Sequence, residues 1–487
     1  MIKRLKIVIL LTLMIFMYQC EKLYIIPQNL EVHDFAWKGL NAYYLYQDEI
    51  QDLSDRRFNS DLQLENYLQN FSTPENLFAS LLKSSDTASK IISDFNMINQ
   101  ITDRTSFTTG MEFGILEEPD TINNVIGYVS HILPNSNATS KNITRGDFFY
   151  GIDNVTDTIQ LTKENYQDLL INTTDTIKLL FADFDGDSII PNGKKANLIK
   201  RNYTHVPVFS RKTINHNSTN VGYLLYNNDF SSRYINDLNN AFFSFKNESV
   251  NELILDLRYN IGGGSFEKTV TELASMITGQ FDEETLLKRQ WNTKAQPWFE
   301  LNQPDSLLVK FPKNIDSQTA INSLNLTKVY IILNGSNYTG SSSIELLINS
   351  LKPYIEVHVV GNQTTGNNTG AITLYNSIDY DSIGKNTNHM YALQPKVLRF
   401  LNKNDETFAT GITPNFTLCT NEDILNLGVL GEVSDPILNR VLEYVTTGGI
   451  NTMTCNPNNF EFLYHSIDSQ RVTDTGVFIT QDLPNTN

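Results

Sequence analysis

The chain has 487 residues, enough for two or three domains that each bury a hydrophobic core. Its composition, 40% hydrophobic and 19% charged, is that of a globular protein and argues against disorder. The formal net charge of −17 argues against nucleic-acid binding, because phosphate recognition needs a basic face.

The N-terminus has the pattern of an export signal. Three basic residues precede an apolar run over residues 7–17, which is too short to cross a bilayer core of about 30 Å. Cys20 follows where a lipoprotein signal is cleaved and its cysteine lipidated, although Gln19 is larger than the residue usual there. We predict a signal peptide over residues 1–20 and an exported protein held in the cell envelope, periplasm or outer membrane, by its lipid anchor only. An ordinary secretory signal cleaved elsewhere is the alternative.

Two further cysteines, Cys419 and Cys455, lie near the C-terminus. In an exported protein they form either one disulfide or two free thiols. Two cysteines without clustered histidines do not make a zinc site, so no metal and no cofactor are expected.

Residues 21–105 are predicted to form a small helical domain. Aromatic side chains recur at helical spacing over residues 35–46, which is typical of a packed core. Thr73 followed by Pro74 has the pattern of a capped helix start, with proline at the first helical position. We assign no chemistry to this region.

Residues 106–200 change to short strands interrupted by glycine, proline and asparagine. A strand over 126–129 is followed by PNSNA at 134–138 and by GDFFYGIDN at 146–154. This order resembles a PDZ module, which adds a guest peptide to an exposed strand edge and binds its terminal carboxylate through backbone N–H groups. The resemblance implies a PDZ-like peptide-binding domain; a β-rich module without a ligand is the alternative.

The candidate carboxylate-binding loop of this domain is flanked by glycines, which let backbone amides turn towards an anion. It consists of Gly110, Met111, Glu112, Phe113 and Gly114. We predict that this loop binds the C-terminus of a peptide.

From residue 201 to 450, buried strands alternate with helices. Strands are predicted over residues 221–226, 252–257, 328–333 and 357–361, and helices over 267–277 and 344–351. Continuous runs of Ile, Leu and Val at this spacing indicate a sheet covered on both faces. Residues 201–450 are therefore predicted to be an α/β domain, and residues 451–487 a C-terminal tail.

Three sequence blocks of the α/β region carry a family resemblance. Residues 256–264 read DLRYNIGGG directly after a strand, 338–346 read YTGSSSIEL, and 361–367 read GNQTTGN. In this order they resemble the DLRxNxGG, TASASE and GExTyGK blocks of the tail-specific, or C-terminal-processing, serine proteases. The resemblance extends over about residues 30–447, and the chain is identified as a Bacteroidetes-type lipoprotein member of that family. It implies an α/β protease core with ClpP/crotonase-like sheet and helices, preceded by the helical and PDZ-like domains.

The resemblance assigns the nucleophile to Ser342, counted back from Glu345. Because residues 341–343 are all serine, Ser341 or Ser343 takes this role if the register slips by one. A serine at a helix N-terminus lies among free N–H groups, which stabilise a developing oxyanion, although a serine that merely caps the helix is the alternative. The expected oxyanion donors are the backbone amides of Gly262, Gly263 and Ser343.

The family's general base does not match this sequence. In the family it is a lysine kept neutral by burial, and the matching position here is Asn367, whose amide accepts no proton at neutral pH. Lys352 and Lys385 lie nearby in sequence and are the candidates to replace it. His358 and His389 flank the segment, but a lone histidine is more often structural.

Two functions follow from the resemblance. The first is a serine endopeptidase of the Ser–Lys type that cleaves unfolded or tail-exposed polypeptides outside the cytoplasm. The second is a catalytically silent lipoprotein that binds peptides and has lost the base. A glycan- or retinoid-binding variant of the same fold is a third, weaker hypothesis, because one architecture serves several substrate classes.

Overall fold

The computed structural model describes residues 26–98, 105–154, 157–173, 176–262, 264–333, 341–418, 423–449, 460–467, 476–480 and 483. The predicted signal peptide with Cys20, and the two cysteines near the C-terminus, Cys419 and Cys455, lie outside the described residues. Within the described ranges, no helix is both long and apolar enough to span a bilayer.

The N-terminal region is helical, as predicted. It contains helices α1 (Glu31–Tyr43), α2 (Asp61–Leu68) and α3 (Pro74–Ser80), followed by strand β1 (Lys90–Ile92). The Thr73 hydroxyl accepts a hydrogen bond from the Asn76 amide at 3.2 Å, which confirms the capped start of α3 with Pro74 in the first turn. The buried apolar side chains of α1 belong to the same hydrophobic core as those of the α/β region.

The next region is rich in β-structure, as predicted. Its strands are β2 (Thr105–Thr108), β3 (Met111–Glu117), β4 (Val125–Ile132), β5 (Phe148–Asp153), β6 (Thr158–Gln160), β7 (Thr176–Phe184), β8 (Ile189–Ile199) and β9 (Arg201–Thr204). Strands β3, β4, β5, β7 and β8 pair antiparallel in that order, β6 pairs with β5, and β2 pairs with β9. They enclose a hydrophobic core of their own, in which Phe113, Phe149 and Phe181 are buried.

The α/β region alternates strands and helices. It contains β10 (Val208–His216), β11 (Thr219–Tyr226), α4 (Ile235–Asn247), β12 (Glu252–Asp256), α5 (Glu267–Ile277), β13 (Thr285–Trp291), α6 (Gln296–Asn302), β14 (Leu308–Lys310), β15 (Lys328–Ile332), α7 (Ser342–Leu351), β16 (Glu356–Gly361), β17 (Thr369–Ala371), β18 (Leu374–Tyr375), β19 (Ala392–Gln394), β20 (Lys396–Asn402), β21 (Phe416–Thr417) and α8 (Pro436–Thr447). Two strands follow, β22 (Phe462–His465) and β23 (Val477–Phe478).

The central sheet has the order β10-β11-β12-β15-β16-β21, parallel except for β10. Successive residues of its strands face opposite cores: Leu224 contacts the core under α4, α5 and α7, whereas Leu225 contacts the core under α8. The four predicted strands and the covering of both faces are therefore confirmed.

The described segments after residue 460 belong to other sheets. Strand β22 pairs antiparallel with β3 at the edge of the β-rich sheet. Strand β23 pairs parallel with β17, at the edge of a sheet ordered β14-β13-β20-β17-β23. A three-stranded antiparallel sheet, β1-β19-β18, joins the N-terminal region to the α/β region. Parts of the predicted tail are thus paired strands.

Candidate active site

The three sequence blocks meet at one edge of the central sheet. The glycine turn begins where β12 ends, helix α7 follows β15, and the loop at residues 362–368 follows β16. Because β12, β15 and β16 are parallel neighbours, their carboxyl ends lie side by side. This edge is where ligand sites of open α/β sheets form.

The serine triplet lies at the N-terminus of α7 and is buried. Ser341 is the cap residue, and Ser342 and Ser343 are the first helical residues; their exposed fractions are 2%, 1% and 0%. The Ser341 side chain makes no capping hydrogen bond to the helix. A serine whose hydroxyl serves only to cap the helix is therefore not what the structure has at this position.

The glycine turn is in direct contact with the serines. Gly262 has φ +70°, and a β-carbon placed on it would lie 2.4 Å from the β-carbon of Ser341 and 3.2 Å from its hydroxyl oxygen. Glycine is thus required at 262 both by its backbone conformation and by the close approach of α7. The structure therefore brings together the two segments on which the predicted site depends.

A chain of polar side chains links the serines to the turn. The Ser341 hydroxyl donates to Asn260 Oδ1 at 3.4 Å and lies 2.9 Å from the Ser343 hydroxyl. Ser343 in turn donates to Ser265 Oγ at 2.8 Å, and Ser265 Oγ accepts from the Phe230 amide at 3.1 Å. The hydroxyls on either side of Ser342 are thereby fixed against the turn.

The predicted oxyanion donors are placed differently from one another. The Gly262 amide donates to the Asn228 carbonyl at 2.8 Å, so it is committed to the protein itself in this structure. Gly263 lies outside the described residues. Ser343 is in the first turn of α7, where backbone N–H groups have no partner within the helix.

Glu345 fastens the loop after β16 to helix α7. Its carboxylate is fully buried, and its two oxygens accept hydrogen bonds from the Gly366 amide at 2.6 Å and the Asn367 amide at 2.8 Å. Glu345 is one helical turn from Ser342, so this contact sets the distance between the serines and position 367. In the sequence, Glu345 served only to locate Ser342. The hydrogen bonds by which its carboxylate holds the loop at residues 362–368, here called the Glu345 clamp, were not predicted.

Asn367, which the sequence blocks place at the position of the family lysine, makes a local contact. Its Oδ1 accepts a hydrogen bond from the Thr369 hydroxyl at 2.6 Å. Gly366, with φ +90°, packs so closely on the backbone of Ala409 and Gly411 that a β-carbon would lie 2.4 Å from the Ala409 carbonyl. The loop is therefore held in one conformation by its backbone and by Glu345.

Of the two lysines considered as replacements, one lies at the far end of α7 and the other contacts two aromatic rings. Lys352 caps the C-terminal end of α7, ten residues and about 15 Å along the helix axis from Ser342. Lys385 places its ammonium 3.9 Å from the centre of the Phe95 ring and 5.3 Å from that of Tyr375. These contacts do not support either lysine as the base.

The two flanking histidines also have structural contacts. His358, on β16, pairs with the Tyr444 hydroxyl at 2.7 Å and stacks on Tyr330. His389 contacts Asn376 Nδ2 at 2.9 Å, and burial lowers its pKa below the usual value. Both contacts agree with the structural role expected of a lone histidine.

A buried ion pair supports the glycine turn from below. The Arg258 guanidinium, fully buried, donates to both oxygens of Asp256 and to Asp435, while Tyr223 donates to Asp256 at 2.8 Å. Asp435 also caps α8 by accepting from the amide of the residue at 437 at 3.0 Å. The turn is thereby tied to α8. The Asp-Pro pair at 435–436 is a local pattern that predicts a helix start. The ion pair between Asp435 and Arg258 joins residues 177 apart in the sequence, so no local pattern predicts it.

The β-rich sheet contacts the same turn. Arg145 donates to the Tyr259 hydroxyl at 2.6 Å and to the Ser130 carbonyl, and His131 stacks on the Tyr259 ring with centroids 4.4 Å apart. Burial, followed by the nearby charges of His465, Arg145 and other basic groups, holds the pKa of His131 well below its usual value. His131 is therefore neutral where it stacks.

The candidate carboxylate-binding segment is mostly a strand. Residues 111–114 begin β3, and the amides of Gly110, Met111 and Phe113 donate to the hydroxyls of Thr108, Thr109 and Ser466. The buried Glu112 carboxylate accepts from Ser466 beside them. A guest carboxylate would need to displace these contacts, and carboxylate binding here stays a prediction.

The chain is thus an α/β protein in which a buried serine at a helix start lies against a glycine turn, at the carboxyl edge of a parallel sheet where ligand sites form. Two family models match the chain: the peptidase S41 N-terminal domain at residues 31–95 and peptidase family S41 at residues 220–418. Together they cover just over half of the chain. The chain belongs to peptidase family S41, a family of serine peptidases.

Several solved structures are similar to this chain. A Bacteroides fragilis NCTC 9343 protein classed as an S41 protease superimposes with a TM-score of 0.66 at 23% identity, over 85% of this chain and 97% of that one. The photosystem II D1 C-terminal processing protease gives 0.44 at 16% identity, over 85% and 100% of the two chains. Mature CPAF gives 0.41 at 11% identity, over 87% and 99%. No curated protein matches the chain.

Proposed function

We propose that this protein is a serine endopeptidase of the C-terminal-processing kind, which cleaves unfolded or tail-exposed polypeptides outside the cytoplasm. The observation that supports this most directly is the contact between the glycine turn and the buried start of α7, 2.4 Å from a β-carbon on Gly262 to that of Ser341. Ser342 is the nucleophile in this proposal, because it is the serine that matches the family nucleophile when counted back from Glu345.

The chemistry is acyl transfer. The Ser342 oxygen attacks a peptide carbonyl, the Ser343 amide at the helix start stabilises the oxyanion, the C–N bond breaks, and water then releases the acyl group. The first step requires a group that takes the serine proton. With Asn367 in the position of the lysine, a water molecule has to take that proton and return one to the leaving amine, so serine catalysis is expected to be about 10²–10⁴-fold slower than with a lysine base.

The second candidate is a catalytically silent peptide-binding lipoprotein. It is favoured by one observation: Asn367 accepts a hydrogen bond from Thr369, while Lys352 lies at the far end of α7 and Lys385 contacts the Phe95 ring. In this case the serines and the glycine turn would shape a groove that holds a polypeptide without cutting it.

Cleavage of a disordered protein by the chain without its signal peptide separates the two candidates. Ser342→Ala is expected to abolish cleavage, whereas Ser350→Ala, a buried serine in the same helix, is expected to leave it unchanged. Cleavage that persists in Ser342→Ala would reject the nucleophile, and no cleavage by any of the three proteins would favour the binding function.

Asn367→Lys tests the missing base directly. If the site geometry is that of a peptidase, a lysine amine at this position is expected to raise the cleavage rate by about 10²-fold, within the usual contribution of general-base catalysis. An unchanged rate, in a variant with wild-type unfolding behaviour, would argue that the groove is no longer built for hydrolysis.

We also propose export and anchoring through a lipid on Cys20. The supporting pattern is the basic, apolar and cysteine sequence of the first 20 residues. Cys20→Ala is expected to move the protein from the membrane fraction to the soluble fraction of the cell envelope. A variant that stays with the membrane fraction would contradict the anchor.

A further inference from the structure

A short segment near the C-terminus lies between the two walls of the candidate active site. Strand β23 pairs with β17, and the Ile479 amide donates to the Ala371 carbonyl at 3.0 Å. On the opposite side, the Phe478 amide donates to the Ser265 carbonyl at 2.9 Å. Residues 476–480 are thus held by backbone hydrogen bonds to strand β17 on one side and to Ser265, directly after the glycine turn, on the other.

Both walls are in contact with the site residues. Ser265, which receives the Phe478 amide, also accepts the hydrogen bond of Ser343. Thr369, the first residue of β17, donates to Asn367. A single residue therefore separates the segment from each part of the site: Ser265 from the serine triplet, and Thr369 from Asn367.

The fit of the segment is specific. Gly476 has φ +137°, and a β-carbon on it would lie 2.3 Å from the Thr369 carbonyl oxygen. The Val477 side chain is completely buried and Ile479 is 6% exposed, whereas Phe478 between them is only partly buried. The edge of β17 thus holds a glycine followed by buried apolar side chains at alternate positions, which is the pattern of an extended strand that buries one face.

The same part of the chain also covers the second peptide-accepting edge. In the β-rich sheet, β22 pairs along β3, with Tyr464 opposite Ile115 and His465 opposite Gly114. Strand edges of this kind are where extended guest peptides bind. One strand edge in each of the two sheets is thus occupied by the C-terminal region of the chain itself.

We infer that residues 476–480 are an intramolecular ligand of the site, bound along the β17 edge where an extended polypeptide substrate binds, so that a substrate must displace them. The part of this inference that concerns substrate rests on the proposed function. A tethered segment competes at an effective concentration in the millimolar range, so it lowers the apparent affinity of a free peptide. The preferred free peptide has the pattern of the segment: glycine, then apolar residues two apart.

Peptide binding to the full-length mature chain tests the inference. The probe is a fluorescent peptide that copies residues 474–482, measured by anisotropy in a Ser342→Ala background so that it is not cut. Gly476→Val places a side chain against the Thr369 carbonyl and is expected to release the segment, which tightens probe binding about tenfold or more. Gly449→Val is the matched control, because a β-carbon there meets nothing within 4 Å, and its binding is expected to equal that of the parent.

A chain ending at residue 467 provides a second variant, in case Gly476→Val does not fold. It is expected to bind the probe as tightly as Gly476→Val does, and a probe with aspartate at the positions of Val477 and Ile479 is expected not to bind. Unchanged probe binding in the folded variants would overturn the inference. Tighter probe binding in the variants, together with no cleavage of polypeptides by the wild-type chain, would support the inference while contradicting the endopeptidase. Cleavage by the wild-type chain with no change in probe binding would do the reverse.

Discussion

Glu345→Gln is expected to loosen the loop that carries position 367. The wild-type carboxylate is fully buried and satisfies two backbone amides, at 2.6 and 2.8 Å. Glutamine keeps one acceptor oxygen and turns an NH₂ group towards the other amide, so one buried N–H loses its partner. A hydrogen bond to a charged group contributes about 1.5–3 kcal/mol, and part of that loss is offset because no charge remains buried. We expect the free energy of unfolding to fall by about 2 kcal/mol.

The same variant is expected to lose activity beyond its loss of stability, because a displacement of about 1 Å at a reacting site costs on the order of 10²-fold in rate. Urea unfolding and cleavage of a disordered protein, both measured well below the unfolding midpoint, separate the two effects. Glu356→Gln, whose side chain is 75% exposed, is the control and is expected to change stability by less than about 0.5 kcal/mol. If Glu345→Gln has the same free energy of unfolding as the control, the two hydrogen bonds of Glu345 do not stabilise the fold as proposed.

Three further outcomes are expected. Gly262→Ala should lower the free energy of unfolding by about 1–3 kcal/mol and reduce any activity, because alanine is strained at φ +70° and meets Ser341; wild-type unfolding and activity would contradict this. Asp435→Ala should cost about 3–5 kcal/mol in urea unfolding, because it leaves the buried Arg258 with one carboxylate and removes the cap of α8. His131, buried and neutral in the fold, can be protonated in the unfolded chain below pH about 6.5, so its share of the stability should fall by about 1.4 kcal/mol per pH unit below that value; His131→Phe should show a shallower pH slope than wild type, and equal slopes would refute this.

Much of the α/β region could be predicted from local sequence. The strands β11, β12, β15 and β16 are rich in Ile, Leu and Val, as expected of strands that are buried on both faces of a parallel sheet. The proximity of Gly262 and Ser341 also followed from sequence, because blocks placed after parallel strands meet at one edge. The capped start of α3 at Thr73 is a local pattern of the same kind.

The contacts that were missed join distant parts of the chain. Strands β22 and β23 have four and two residues, and neither has a pattern that distinguishes it from a loop. Their pairing with β3 and β17 depends on which edges the rest of the fold leaves open, which no local pattern encodes. The Glu345 clamp and the pair between Arg258 and Asp435 are of the same kind, because a buried charge is identified by its partner and not by its neighbours in sequence.

The supports of the site and its chemistry depend on different residues. The turn is held by Arg258, the loop after β16 by Glu345, and the serines by the polar chain to Ser265. Residue 367 takes part in these contacts only through its backbone amide, which donates to Glu345. Its side chain can therefore be lysine or asparagine without changing them. The contacts that hold the turn, the serines and the loop are therefore independent of the side chain at 367, and Asn367→Lys places an amine on a loop whose backbone Glu345 already holds in place.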